Sequence, residues 1–107
     1  MTVVEKLERN GIRVDLSRVE QIARRHQIRE ISVFGSAIRE DIRDDSDVDL
    51  LLSFQPDAHP SLFDLMDIEN ELSAIFGRQV DVVEVEGLTN PIRRRAILAS
   101  TEPLYAA

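Results

Sequence analysis

Two aspartates stand two residues apart at the start of an apolar run, Asp47-Val48-Asp49-Leu50-Leu51-Leu52. Side chains alternate between the two faces of a β-strand, so Asp47 and Asp49 would point to the same face with their carboxylates close together. Like charges so placed repel, and one carboxyl pKa rises unless a cation neutralises the pair. Magnesium accepts hard oxygen ligands and usually binds one or two carboxylates together with water and substrate phosphate. The pair therefore predicts a divalent metal site.

A third carboxylate, Asp81, lies within another apolar run, Val80-Asp81-Val82-Val83. If that run forms a strand beside the first one and faces the same way, Asp81 completes a corner of three carboxylates. Such a corner suits two-metal phosphoryl transfer, in which one ion holds a triphosphate and the other lowers the pKa of the attacking hydroxyl. Taken alone, Asp81 is equally compatible with a solvated position at the end of a strand.

A calcium-binding loop is the other structure that alternating aspartates suggest, because Asp45, Asp47 and Asp49 match its opening. That loop requires glycine at its sixth position and glutamate at its twelfth. This chain has Leu50 and Pro56 at those positions. The calcium interpretation is therefore excluded.

A glycine and a serine, Gly35 and Ser36, follow the β-rich segment Ile31-Ser32-Val33-Phe34. Glycine lets the backbone approach a phosphate closely, and the N–H groups at the start of a following helix provide an anion site. The Ser36 hydroxyl can add a hydrogen bond to the outer phosphates. A Gly-Ser pair alone indicates only a turn, but this serine precedes Asp47 by eleven residues. The combination favours a triphosphate site.

The elements that must position these residues form an α/β or α+β pattern with a small mixed sheet. With 107 residues and 43% apolar content, we expect one packed domain over 1–107 with its core at about 28–100. The pattern does not determine the strand order. Strands are predicted at 31–34, 48–54 and 80–85. Helices are predicted near residue 3, from Ser17, which has capping-box spacing to Glu20, after Ser61 up to Gly77, and from Asn90 to about Ala99.

The net charge of −7 argues against duplex nucleic acid as the main partner, because a phosphate backbone attracts basic surfaces. The basic cluster from Arg93 to Arg95 fits the solvated face of a helix better than a binding patch. No apolar run approaches the ~18 residues of a membrane span, and the N-terminus is charged too early for a signal peptide. The absence of cysteine excludes disulfides and thiolate metal sites. We expect a cytoplasmic protein with no membrane partner.

Together, Gly35-Ser36, Asp47-Val48-Asp49-Leu50 and Asp81 resemble the signature of the DNA polymerase beta nucleotidyltransferase superfamily. They are most similar to the minimal nucleotidyltransferases, which are the antitoxin partners of HEPN-domain toxins. The resemblance runs from about residue 28 to the C-terminus. It implies a polymerase-beta-like fold with a small mixed sheet flanked by helices. It also implies transfer of AMP from ATP, with Mg²⁺ or Mn²⁺, to a hydroxyl similar to a tyrosine of a HEPN toxin.

The resemblance assigns Gly35, Ser36 and Arg39 to nucleotide binding, since an arginine is common just after the Gly-Ser turn. An exposed helix arginine is an equally good interpretation of Arg39. The next residue, Glu40, departs from the family, which often has glycine there. An extra carboxylate at this position would either weaken triphosphate binding or face solvent.

The resemblance assigns metal binding and catalysis to Asp47, Asp49 and Asp81, with Asp81 binding the catalytic metal and helping to deprotonate the acceptor hydroxyl. A chain of this size has little material for a separate acceptor-binding domain, so a partner protein or a second copy must present the acceptor. Two main hypotheses follow: an enzyme that modifies its partner, and a non-catalytic antitoxin that neutralises its partner by contact. A third, an enzyme acting on a small molecule or an RNA end, is disfavoured by the lack of a second domain and by the negative charge. The presence of all three aspartates and the Gly-Ser pair favours the enzyme.

Overall fold

The computed structural model of the chain describes residues 1–39, 42–43 and 45–107. Glu40, the departure from the family pattern, therefore lies outside the described residues. Short 3-10 turns occupy Gly35–Ile38 and Val85–Gly87. The helices and strands are α1 (Val3–Arg9), α2 (Leu16–Arg25), β1 (Ile28–Phe34), β2 (Val48–Phe54), α3 (Leu62–Phe76), β3 (Val80–Glu84), α4 (Pro91–Ser100) and β4 (Glu102–Ala106).

The four strands form one mixed sheet in the order β3-β2-β1-β4. β1 pairs antiparallel with both β2 and β4, whereas β2 and β3 are parallel. Parallel neighbours need a crossover connection, and α3 supplies it between β2 and β3. The predicted fold class, a small mixed sheet flanked by helices, is confirmed.

Local capping chemistry fixes most helix ends where the sequence predicts them. The Ser61 side chain accepts the Asp64 N–H at the start of α3, and Gly77 ends that helix in the left-handed region at φ +68°. Asn90 caps α4 and Pro91 occupies its first turn. These ends agree with the prediction because each depends on residues within one helical turn.

The start of α2 differs from the prediction by one residue. The helix begins at Leu16, and its N-cap is Asp15, whose side chain accepts the Arg18 N–H at 3.3 Å. Ser17, the predicted start, already lies inside the first turn. Asp is as good an N-cap as Ser and adds a negative charge at the positive end of the helix dipole. The capping-box spacing from Ser17 was therefore misleading.

The last strand, β4, is not predicted by the sequence. It pairs with β1, with Tyr105 opposite Ile31 and Ala106 opposite Glu30. Leu104 and Tyr105 pack partly buried against the core. Five residues that include Pro103 show no strand pattern of their own, but proline is tolerated in an edge strand, which is where β4 lies. Pairing with β1 therefore decides this element.

The core lies around β2, in which every residue except Asp49 is buried. The strand is paired on both sides, by β1 and β3, so its backbone is held in the sheet. Among the described residues, none of the helices combines the length and the apolar character that a membrane crossing needs. The fully buried apolar side chains that surround β2 include Leu7, Val19, Ile31, Ile68, Leu72 and Val80.

Candidate active site

The parallel pairing of β2 and β3 places Asp49 directly opposite Asp81. In-register residues of neighbouring strands share a face, and the strands lie about 4.8 Å apart. Asp47 immediately precedes β2, and its charge helps to raise the pKa of Asp81. The structure therefore brings the three predicted carboxylates together at one edge of the sheet, where Asp49 is half-buried and the other two are exposed.

The electrostatics of this corner are unfavourable without a cation. Burial and then the negative charge of Asp47 raise the pKa of Asp49, while the guanidinium of Arg39 lowers it. Loss of hydration, the hydrogen bond to Asp47 and the charges of Asp47, Asp49 and Glu69 raise the pKa of Asp81. Carboxylates that gather in this way resist ionisation, so the corner attracts positive charge.

The chemistry of these groups fits a divalent cation. Among residues 1–39, 42–43 and 45–107, no three His, Asp or Glu side chains converge closely enough to surround a metal ion. The charges of Asp47 and Asp49 nevertheless raise the pKa of Asp81, so the three groups act on one another electrostatically. Their oxygens are the hard ligands that Mg²⁺ and Mn²⁺ take. A cation bound beside them would offset this repulsion.

The Gly-Ser turn packs directly against Asp49. Phe34, the last residue of β1, lies opposite Asp49, so the chain enters the turn beside that carboxylate. Gly35 has φ +77°, and a Cβ atom on it would lie only 2.4 Å from Asp49 Oδ2. Glycine is therefore required here by its backbone conformation and by its contact with the carboxylate. The sequence predicted a glycine for phosphate approach but not this contact.

The segment after Gly35 is a 3-10 turn of four residues rather than the start of an α-helix. Ser36 is half-buried in this turn, and Arg39 follows it in an extended conformation. Arg39 is exposed, and its charge lowers the pKa of Asp49. Because Arg39 lies outside any helix, the helical part of the alternative interpretation is wrong, and its role in nucleotide binding stays a prediction.

A cavity of about 420 Å³ opens between the Gly-Ser turn and α4. Its volume falls within the range of roughly 300–1,000 Å³ that is usual for small-molecule sites. Apolar side chains predominate in its wall, with Arg39 and Glu102 as the charged groups. The lining residues are Phe34, Gly35, Ile38, Arg39, Ala96, Ile97, Ser100 and Glu102.

Two residues that support the carboxylates were missed by the sequence analysis. Glu69 of α3 accepts the Val82 N–H at 3.0 Å, beside Asp81. Arg78 donates to the carbonyl oxygen of Ser46 at 3.2 Å, which holds the segment leading into Asp47. Glu69 flanks the buried stripe of α3, and a charged residue at that position was the one sequence feature that could have indicated a contact with the site. Nothing in the local pattern marks Arg78.

The pKa of Asp49 leads to a prediction about metal-free stability. Because its pKa is raised in the folded state, the contribution of Asp49 to stability is present below pH 3.8 and is lost as pH rises through the folded pKa. With EDTA present, Asp49→Asn is therefore expected to unfold at a higher urea concentration than the wild type at pH 7. The difference should shrink toward pH 4.

Asp64→Asn is the matched control, with the opposite sign. Hydrogen bonds from the Ser61 N–H and hydroxyl lower the pKa of Asp64, so its stabilising effect is present at neutral pH and is lost as pH falls through the folded pKa. This variant should be less stable than the wild type at pH 7. A loss of stability in Asp49→Asn at pH 7 would instead show that the carboxylate supports the fold.

A mixed sheet that holds a Gly-Ser turn against Asp49, with Asp81 opposite Asp49 on the adjacent strand, defines the chain as a nucleotidyltransferase. The sequence profile described as "Polymerase beta, Nucleotidyltransferase" matches residues 17–107. The chain belongs to the polymerase beta nucleotidyltransferase family. The predicted resemblance and the predicted enzyme class are thus confirmed.

Relatives from two archaea are named for nucleotidyl transfer to protein. The chain is 36% identical over 78 residues to "Protein adenylyltransferase MntA" of Thermococcus cleftensis. That match covers 73% of this chain and 77% of the relative. It is 31% identical over 90 residues to a protein of Methanocaldococcus jannaschii that is provisionally named a protein adenylyltransferase. That match covers 77% of this chain and 90% of the relative.

Solved structures share the fold. One, provisionally described as a minimal nucleotidyltransferase, has a TM-score of 0.69 and 32% identity and covers 97% of both chains. Another, described as a toxin-antitoxin with AMP-PNP, has a TM-score of 0.69 and covers 88% of this chain and 75% of that one. Its identity is 14%, so it shows the fold alone.

Proposed function

We propose that this chain transfers AMP from ATP, with Mg²⁺ or Mn²⁺, to a hydroxyl of a HEPN-type toxin and so acts as its antitoxin. The observation that carries the proposal is the register of Asp49 with Asp81 beside the Gly35 turn, which gathers the carboxylates where that turn packs against the sheet. The names of the relatives support a protein acceptor. The fold shared with a toxin-antitoxin protein supports a toxin partner.

In the proposed reaction, the acceptor oxygen attacks the α-phosphorus of ATP, the bond to the bridging oxygen breaks, and pyrophosphate leaves. Asp47, Asp49 and Asp81 would hold the metal, which neutralises triphosphate charge and lowers the pKa of the acceptor hydroxyl. Asp81 would receive the acceptor proton, and its raised pKa suits that role.

The turn side of the site would hold the nucleotide. Backbone N–H groups of the Gly35-Ser36 turn would donate to phosphate oxygens, and the Ser36 hydroxyl would donate to a further one. Arg39 would pair with phosphate from the end of the turn. The nucleoside would occupy the 420 Å³ cavity that Arg39 also lines. Positioning of this kind provides most of the catalysis in phosphoryl transfer.

The partner protein would contact α4. No residue of this helix is buried, and Ile92 is 82% exposed. Its three consecutive arginines give it a positive charge in a chain whose net charge is −7, so an acidic and apolar partner surface would complement it. Ala96 lines both the cavity and an apolar groove with Ile92 on the same helix. A toxin bound there would present its hydroxyl beside the nucleotide.

The proposal is tested by incubating the chain with a purified HEPN-type toxin and Mg-ATP, and then measuring the mass of the toxin by mass spectrometry. Wild type is expected to add one or more AMP groups. Asp47→Ala should add no AMP and should still bind the toxin in a pull-down. The lost carboxylate lies in the candidate active site, whereas the proposed docking surface is α4. Ser36→Ala should transfer at least about tenfold more slowly, since a hydrogen bond to a charged group is lost.

The alternative function is a non-catalytic antitoxin. It predicts that the toxin is neutralised without added mass and that Asp47→Ala neutralises it as well as the wild type does. Ile92→Glu, with Phe63→Glu as control, separates docking from chemistry. Both side chains are highly exposed, but Phe63 lies on α3. Only the Ile92 change should raise the KM for the toxin, and equal effects of both would exclude α4 as the docking surface.

A further inference from the structure

The N-terminal helix α1 reaches the Gly-Ser turn from outside the part of the chain that the family profile matches, which begins at residue 17. The side-chain amide of Asn10, at the end of α1, donates to the carbonyl oxygens of Ala37 at 2.8 Å and Arg39 at 2.9 Å. A side-chain amide has two N–H donors. Asn10 therefore donates both of its side-chain N–H groups to carbonyls of the segment that follows Ser36.

A second contact from α1 holds the carbonyl between those two. Arg9 Nη2 donates to the carbonyl oxygen of Ile38 at 3.4 Å. Three successive carbonyls, from residue 37 to residue 39, thus accept hydrogen bonds from the last two residues at this helix end. The segment is a single 3-10 turn, in which the Arg39 N–H bonds to the Ser36 carbonyl at 3.1 Å. A turn this short is oriented by the groups that bond to it, which here come from the end of α1.

Helix α1 is itself held firmly against the core, so its last residues can hold the turn in a fixed position. Leu7 is fully buried in the core, and Lys6 Nζ lies 2.6 Å from Glu102 Oε2 of β4. Gly11, at φ +77°, ends the helix directly after Asn10, and the Ile12 N–H bonds to the Leu7 carbonyl at 2.8 Å. This helix end resembles the glycine-terminated ends of other helices. It fixes the direction of the Asn10 side chain.

We infer that Asn10 is a positioning residue that holds Ser36 and Arg39 where they bind the triphosphate. The inference rests on the proposed function, because it assigns those two residues to the nucleotide. Both hydrogen bonds of the Asn10 amide go to backbone oxygens of the turn segment, so Asn10 acts through the turn and not on the phosphates. The carboxylate corner, which α1 does not contact through Asn10, should keep its metal affinity when Asn10 is changed.

The test measures the binding of AMP-PNP with Mn²⁺, and of Mn²⁺ alone, by titration calorimetry on the full chain. Asn10→Ala removes both hydrogen bonds. Asn10→Asp keeps the size of the side chain but puts an acceptor oxygen where the Nδ2 donor faced the two carbonyls. Each variant is expected to weaken AMP-PNP binding at least about tenfold, in keeping with the loss of two hydrogen bonds. The affinity for Mn²⁺ alone should stay within about twofold of wild type. The KM for ATP should rise more than kcat falls.

Thr2→Ala is the matched control. It removes the capping box that starts α1, formed by Thr2 and Glu5, and leaves the Asn10 contacts in place. It should lower stability without changing AMP-PNP affinity. Wild-type affinity in both Asn10 variants, or an equal loss in Thr2→Ala, would overturn the inference. Failure of the wild type itself to bind AMP-PNP would instead overturn the proposed function.

Discussion

Asp49→Asn is expected to slow AMP transfer by about a hundred- to a thousand-fold, the range seen when one charge-stabilising group is lost from an active site. Asp49 lies in register with Asp81 and two residues after Asp47, so its charge completes the three-carboxylate corner. Asn has the same size and can keep the packing against Gly35. It lacks the negative charge that a metal ion requires. The measurement is the initial rate of AMP incorporation into the toxin, with saturating Mg-ATP.

Asp67→Asn is the control for general loss of acidic charge, because Asp67 is exposed on α3. It should transfer AMP at the wild-type rate. A second measurement separates metal loss from misfolding. A ligand at one hundred times its Kd stabilises the native state by about 2.7 kcal/mol, so Mg-ATP should raise the thermal midpoint of wild type but not of Asp49→Asn. Equal stabilisation of both proteins would contradict the proposed role of Asp49.

Gly35→Ala is expected to lower the free energy of unfolding by about 2–4 kcal/mol and to slow transfer by about a hundred-fold. Two causes add. Alanine at φ +77° is strained, and its Cβ would meet Asp49 Oδ2 at 2.4 Å, so either the turn or the carboxylate must move. A displacement of that size misplaces the turn relative to the carboxylates, and phosphoryl transfer depends on their relative position.

Gly11→Ala isolates the first of these causes. Gly11 also has φ +77°, but nothing lies within 4 Å of a Cβ placed on it. Gly11→Ala should lower the free energy of unfolding only by the backbone strain of alanine at positive φ, about 1–2 kcal/mol. The difference between the two variants in urea unfolding then measures the contact with Asp49. Equal losses of stability in both would show that the contact relaxes freely, and a normal transfer rate in Gly35→Ala would show that the turn tolerates displacement.

The sequence determined features that depend on neighbouring residues. The bounds of β2 agree with the prediction at both ends, since a run after Asp49 that is apolar apart from Ser53 is typical of a central strand. Ser61, Gly77 and the Asn90-Pro91 pair mark helix ends through contacts within one turn. The spacing of Asp47 and Asp49 predicted that their carboxylates lie close together, and in the structure Asp47 immediately precedes the strand that holds Asp49. The types of group in the site were thus visible before any fold was known.

Only the tertiary structure decided which distant residues meet. The register of Asp49 with Asp81 depends on the crossover through α3, and spacing along the chain does not contain it. The contact of Gly35 with Asp49 and the hold of Asn10 on the turn likewise join segments that are far apart in sequence. Local propensity is set by the nearest residues. Strand pairing and helix packing are set by how whole elements bury their apolar faces together, and these long-range contacts shape the site.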